Sequence, residues 1–410
     1  MIKRLSYLAI VFAMMLGVAA PGSLAAAEGI AISRVVHSTQ FPTNISFSLT
    51  ASSEANIVDA RLHYLVEKQG FATVENEVLV RVMPAKEITL SYSLDLRRTG
   101  GLPPGTRVDY WWTVRDAEGG ESVSQVTTLD LNDARYQWQS IKQGMVTLYW
   151  YSGPDSFARD LMSTAQDALV KLENDAGAHL SEPVALYIYD GAQALQGSMV
   201  FPQEWTGGVA FTNFNTIAIG IETYNVTWGK RAIVHELAHL VTHQMTANPY
   251  NTIPIWLNEG LSMYAEGPLD AIYQVFYNQA LDQQALISVR SLSSPFSAYA
   301  NISYLSYAES YHAVKYLIDK YGQDKLLRLL DTFAGGATAD SALMVVYGFD
   351  MDGLDEEWQD YAYNATPDRF QGGVIWTPWL AVLIVLVAGA SVVTAVWLFF
   401  PIAVKKVERN

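Results

Sequence analysis

His235-Glu236-Leu237-Ala238-His239 and, further along, Trp256-Leu257-Asn258-Glu259-Gly260-Leu261-Ser262-Met263-Tyr264-Ala265-Glu266 are the stretches on which the reading of this sequence turns. The first falls in segment 228–244, where the apolar residues Ile233, Leu237, Leu240 and Val241 recur at helical spacing. Residues four apart share one face of a helix, so both imidazoles point the same way. The second stretch opens after Pro254, and its pattern predicts a helix over 255–266. A catalytic zinc site needs three protein donors and one open position, so a pair of histidines at this spacing calls for a third donor from elsewhere. Glu259, on a second helix that can lie against the first, is the candidate. A third histidine ten positions after the first would make a different ligand set, but Met245 stands there. His243 shares the stripe of His239 and is read as a helix-end residue.

Outward from these motifs the chain is a mixture of helix and strand. Apolar periodicity predicts a helix over 154–175, a strand over 184–189, an extended pair over 208–221, and helices over 304–321 and 323–333, with Gly322 and Gly335-Gly336 as stops. Before residue 132 the period changes to two. Segments 45–50, 57–66, 77–82, 88–96, 107–115 and 122–131 alternate apolar with polar residues and are punctuated by glycine and proline, which predicts an all-β sandwich of about seven strands over 30–131. The run Leu102-Pro-Pro-Gly-Thr-Arg-Val-Asp-Tyr-Trp-Trp112, followed by Asp116-Ala-Glu-Gly119, resembles the late strands of fibronectin type III and immunoglobulin-like modules.

Composition narrows the chemistry. Half of the 410 residues are apolar, enough for a substantial core, and there is no cysteine, so thiol nucleophiles and thiolate-bound metals are excluded. A formal net charge of −15, with no basic stripe to replace phosphate counterions, argues against nucleic acid as a partner. At the N-terminus Lys3 and Arg4 precede an apolar run and the small residues Ala25-Ala26-Ala27, which reads as a signal peptide over 1–27. Near the other end, 376–404 carries no charge, is flanked by Trp376, Trp379 and Trp397, and is followed by Lys405, Lys406 and Arg409. That pattern predicts a single transmembrane helix in contact with lipid, with a linker over 366–375, a cytoplasmic tail over 405–410 and the bulk of the protein outside the cell membrane.

The two motifs together resemble the gluzincin zinc peptidases of the peptidase MA type, closest in wording to aminopeptidase N and leukotriene hydrolase relatives. Those proteins join H-E-x-x-H to W-L-N-E-G-x-x-x-Y-x-E, matched here by Trp256, Leu257, Asn258, Glu259, Gly260, Tyr264 and Glu266. The resemblance implies an α+β zincin-like (thermolysin-like) domain over 133–365, with Zn2+ held by His235, His239 and Glu259 and with Glu236 as the general base. It also implies a tyrosine that donates to the oxyanion. Tyr307 is the choice from Leu305-Ser-Tyr307-Ala-Glu-Ser-Tyr311, with Tyr304 and Tyr311 as alternatives. One departure bears on the substrate. The aminopeptidases carry G-x-M-E-N, whose glutamate binds a free amino terminus, whereas this chain has Gly207-Gly208-Val-Ala-Phe-Thr-Asn213 without one. The segment reads as an edge strand able to pair with an extended peptide, which favours a peptide or protein substrate cut internally. The other readings are a catalytically silent surface binding or adhesion protein on a zincin scaffold, and a zinc hydrolase of a non-peptide substrate. The sequence gives no oligomeric state.

Overall fold

The computed structural model describes residues 29–203, 206–297 and 299–364. Seven strands come first: β1 (Ala31–Gln40), β2 (Asn44–Val66), β3 (Glu75–Val80), β4 (Ala85–Asp95), β5 (Thr106–Asp116), β6 (Glu121–Val123) and β7 (Thr127–Leu131). All seven belong to one hydrogen-bonded sheet, in which β2 pairs with β1, β3, β4 and β5. The Phe47 and Tyr64 rings, both on β2, stack with centroids 6.4 Å apart. A straight strand would carry those two positions roughly 55 Å apart, so β2 must fold back on itself. The fold falls between Ser52 and Ile57, where its pairing with β4 shifts register.

This corrects the expected two-sheet sandwich to one sheet doubled over a single core that includes Phe47, Leu49, Leu62, Tyr110 and Trp112. Segments 45–50 and 57–66 are parts of one strand because the residues between them hold no glycine or proline to end it. The strand β1 escaped the alternation rule because almost every one of its residues faces water.

A second sheet follows, made of β8 (Gln139–Gln143), β9 (Val146–Trp150), β10 (Val184–Tyr189), β11 (Gly208–Phe211) and β12 (Thr216–Gly220) in the order β11-β12-β10-β9-β8. Strands β9, β10 and β12 run parallel, while β8 and β11 pair antiparallel at the two edges. The inner strands Val-Ala-Leu-Tyr-Ile-Tyr and Thr-Ile-Ala-Ile-Gly are almost wholly apolar, as suits strands covered on both faces. Two helices are set among these strands, α1 (Asp155–Ala176) and α2 (Ala192–Gln196). The remainder is helical: α3 (Val226–Thr246), α4 (Ile255–Glu266), α5 (Ala271–Asp282), α6 (Ala300–Tyr321), α7 (Gln323–Ala334), α8 (Ala339–Val346) and α9 (Met351–Asn364). The described residues as far as Asp360 form one compact unit.

The single-pass span is the other expectation to be corrected. Among the described residues no helix is long and apolar enough to cross a membrane. The longest helices, α1 and α6, carry charged side chains such as Arg159, Asp167, Lys315 and Asp319 along their lengths, which a bilayer would not accept. The described residues therefore lend no support to the single-pass membrane localisation and lipid contact read from the sequence. Segments 1–27, 366–375, 376–404 and 405–410, on which the signal peptide, linker, span and tail were read, lie outside the described residues.

Candidate metal centre

One side of α3 is committed to the sheet, where Ile233, Leu237 and Leu240 join a core with Leu148, Ile217 and Ile219. That leaves His235 and His239 turned toward α4. Their Nε2 atoms lie 3.1 Å apart, and Glu259 Oε2 lies 3.4 Å from the first and 3.5 Å from the second. The glycine after Glu259 explains how α4 comes so close to its neighbours. A Cβ on Gly260 would stand 2.3 Å from the Ser310 carbonyl oxygen of α6, so only glycine fits.

The other ring nitrogens fix the orientation of both imidazoles. His235 Nδ1 donates to Glu266 Oε1 at 2.7 Å. His239 Nδ1 donates to Ser262 Oγ at 3.0 Å, and the Ser262 hydroxyl in turn donates to the Asn258 carbonyl at 3.1 Å. With Nδ1 carrying the proton, each neutral ring presents a lone pair at Nε2. Arg231 steadies Glu266 at 3.0 Å and also pairs with Asp270. Ser262 and Arg231 were not found from sequence. A signal existed, because Glu259, Ser262 and Glu266 recur on one face of α4, the face that meets the histidines.

Three lone pairs aimed at one another repel unless something positive lies between them. Glu259 Oε2 is buried and has no hydrogen-bond partner. A tetrahedral ion bound at about 2.0–2.2 Å needs its donor atoms roughly 3.3–3.6 Å apart, close to the spacings found here. Two imidazoles, one carboxylate and a second set of residues orienting them therefore fit zinc. Burial by itself lowers the His235 imidazole, but the facing carboxylates of Glu259 and Glu266 lift it to about 10. Burial likewise opposes a charge on Glu259, yet the facing imidazoles hold its carboxyl well below the usual range.

Glu236 lies beside this set with its carboxyl pushed upward by burial. Its side chain occupies space that the edge strand leaves open, for a Cβ on Gly208 of β11 would stand 2.8 Å from Glu236 Oε1. Among the three candidate tyrosines, Tyr307 packs its ring 6.5 Å from that of His235, and burial raises its hydroxyl pKa. Tyr304 instead packs on Tyr273 and Phe276, and Tyr311 on Tyr264 and His312. The expected site residues thus come together, and two of the three tyrosines do not join them. His243 lines a cleft together with His239.

Residues 164–364 match the model of the Peptidase MA superfamily. That match supports a zincin-like peptidase. Among solved structures the chain is similar to OgpA from Akkermansia muciniphila at 15% identity and a TM-score of 0.20, covering 25% of this chain and 27% of that one. An M1 zinc metallopeptidase from Deinococcus radiodurans matches at 11% identity and a TM-score of 0.33, over 81% of this chain and 94% of the other. Yeast LTA4 hydrolase, solved with bestatin, matches at 10% identity and a TM-score of 0.29, over 82% and 64%. The chain therefore spans about a quarter of the length of OgpA. No curated protein matches it.

Proposed function

We propose that this chain is a zinc-dependent endopeptidase in which His235, His239 and Glu259 hold the metal and Glu236 is the general base. The observation that carries the reading is the triangle of donor atoms at 3.1, 3.4 and 3.5 Å with the Glu236 carboxyl alongside. When bound, zinc supplies Lewis acidity that makes water a nucleophile at neutral pH and polarises the scissile carbonyl. Glu236 takes a proton from the attacking water and returns it to the leaving amine as the C–N bond breaks. A buried carboxyl with a raised pKa suits both halves of that task, since it holds the proton between them. Tyr307, on the α6 helix that packs on α4, keeps its proton and donates a hydrogen bond from its hydroxyl to the oxyanion.

Internal cleavage is favoured by where the acids are. Glu259 faces the imidazoles and Glu266 is bound by Arg231 and His235. With Glu236 assigned to water, no carboxylate in this set remains to receive a free amino terminus. Strand β11 bonds to β12 on one side, and its other edge is open to an extended chain.

The test is a zinc assay joined to digestion of a peptide library by the full chain. About one zinc per chain is expected, and Glu236→Gln should keep the metal while kcat falls by about 10²–10⁴-fold. Equal cleavage by Glu236→Gln would overturn the mechanism. Acetylating the peptide amino termini should leave the rate unchanged; loss of cleavage on acetylation would make the enzyme an exopeptidase instead.

A further inference from the structure

The loop between β2 and β3 leaves the first sheet and reaches the cleft beside the metal centre. Gln69 donates its backbone N–H to the carbonyl of Asn213, in the turn that follows β11. Its side-chain amide also donates to Glu182 Oε2 at 2.7 Å. The Asn213 carbonyl, two residues past the end of β11 at Phe211, is thereby taken by the loop. The open edge has an end, and the loop supplies it.

Past that stop, Gly70 and Phe71 line a cleft of about 530 Å3 whose wall also includes His239 and His243. This volume is within the range that holds a small ligand. Phe71 is 64% exposed, although the loop that carries it is anchored at Gln69. An exposed aromatic ring on an anchored loop, lining the same cleft as His239, is poised to bury apolar surface against a substrate at little ordering cost. His243 adds no charge there, since burial lowers its pKa.

We propose that Phe71 is a specificity-determining residue of the peptidase, forming with the Gln69 stop a subsite for an apolar or aromatic side chain of the substrate. This rests on the peptidase reading above. It assigns to the first sheet a part in choosing what the helical half cuts.

The experiment profiles cleavage of an N-acetylated peptide library by the zinc-loaded full chain and by Phe71→Ala. In the wild type, one position near the scissile bond should be enriched in apolar and aromatic residues. In Phe71→Ala the preference at that position should fall about tenfold while other positions keep theirs, and Phe71→Tyr should restore it. An identical profile for Phe71→Ala and wild type would overturn the subsite. If the wild type cuts nothing, the peptidase reading itself fails, and calorimetry then judges the subsite alone. Aromatic peptides should bind Glu236→Gln about tenfold more tightly than the Phe71→Ala, Glu236→Gln double variant, and equal affinities would reject it.

Discussion

Glu259 on α4 and Glu309 on α6 are both taken largely out of water in the helical half of the molecule, yet their surroundings drive them in opposite directions. Glu259 faces two imidazoles, which hold it ionised against the cost of burial. Among the described residues no cation offsets the charge of Glu309. Burial, with the nearby Asp355 adding to it, pushes its carboxyl up to about 8 in spite of hydrogen bonds of 3.1 and 3.0 Å from the Ile287 N–H. Depth alone does not say what a buried acid is for; the sign of what faces it does. The first is poised to share an ion. The second is a neutral latch on the segment that follows α5.

The widest separation between the two should come from neutralising each. Glu259→Gln is expected to lower zinc affinity by roughly a thousandfold or more and to abolish hydrolysis, while Glu309→Gln retains the metal; zinc titration of both variants measures this. If the two lose zinc alike, the contrast is wrong.

A pH series sharpens the same contrast. Below about 4.5, the ordinary value, Glu309 is protonated folded or unfolded. From there to about 8 the folded chain keeps a proton that the unfolded chain has released, so stability falls as pH rises through that window and then levels. The unfolding free energy of wild type, from urea titrations, should accordingly fall by a few kcal/mol relative to that of Glu309→Gln between pH 5 and pH 8.5. Parallel curves would mean that the carboxyl ionises normally.

The next effect concerns the contact between the helices that carry the two acids. Gly260→Ala drives a methyl group against the Ser310 carbonyl and should cost about 1–3 kcal/mol, read as a lowered melting temperature. The smallest is Ser262→Ala, which removes the acceptor of His239 Nδ1. It should weaken zinc binding by about 10–100-fold and leave the fold unchanged by circular dichroism.

What was legible in the sequence is what local spacing controls. The histidine pair, Glu259 and the helices bearing them follow from positions within a few turns of one another, and the alternation of 208–221 announced the strands β11 and β12. Ser262 and Arg231 act across the α3–α4 interface, and their roles depend on how two helices meet, which spacing along one chain does not record. The same holds for β2, whose two halves read correctly as strands while the fold between them went unsignalled. Helix α5 was missed because Ala-Ile-Tyr-Gln-Val-Phe-Tyr-Asn-Gln-Ala-Leu-Asp mixes β-branched and aromatic residues without a clean apolar stripe.

The glycine at 260 also decides which parts of the cleft can breathe. Where two helices touch main chain to main chain, with no side chain to act as a cushion, neither slides without the other. The floor built from α4 and α6, with Glu259 on one and the Tyr307 ring on the other, therefore travels as a single plate. The four-residue strand β11 and the loop anchored at Gln69 stand outside that contact, so any widening of the cleft falls to them.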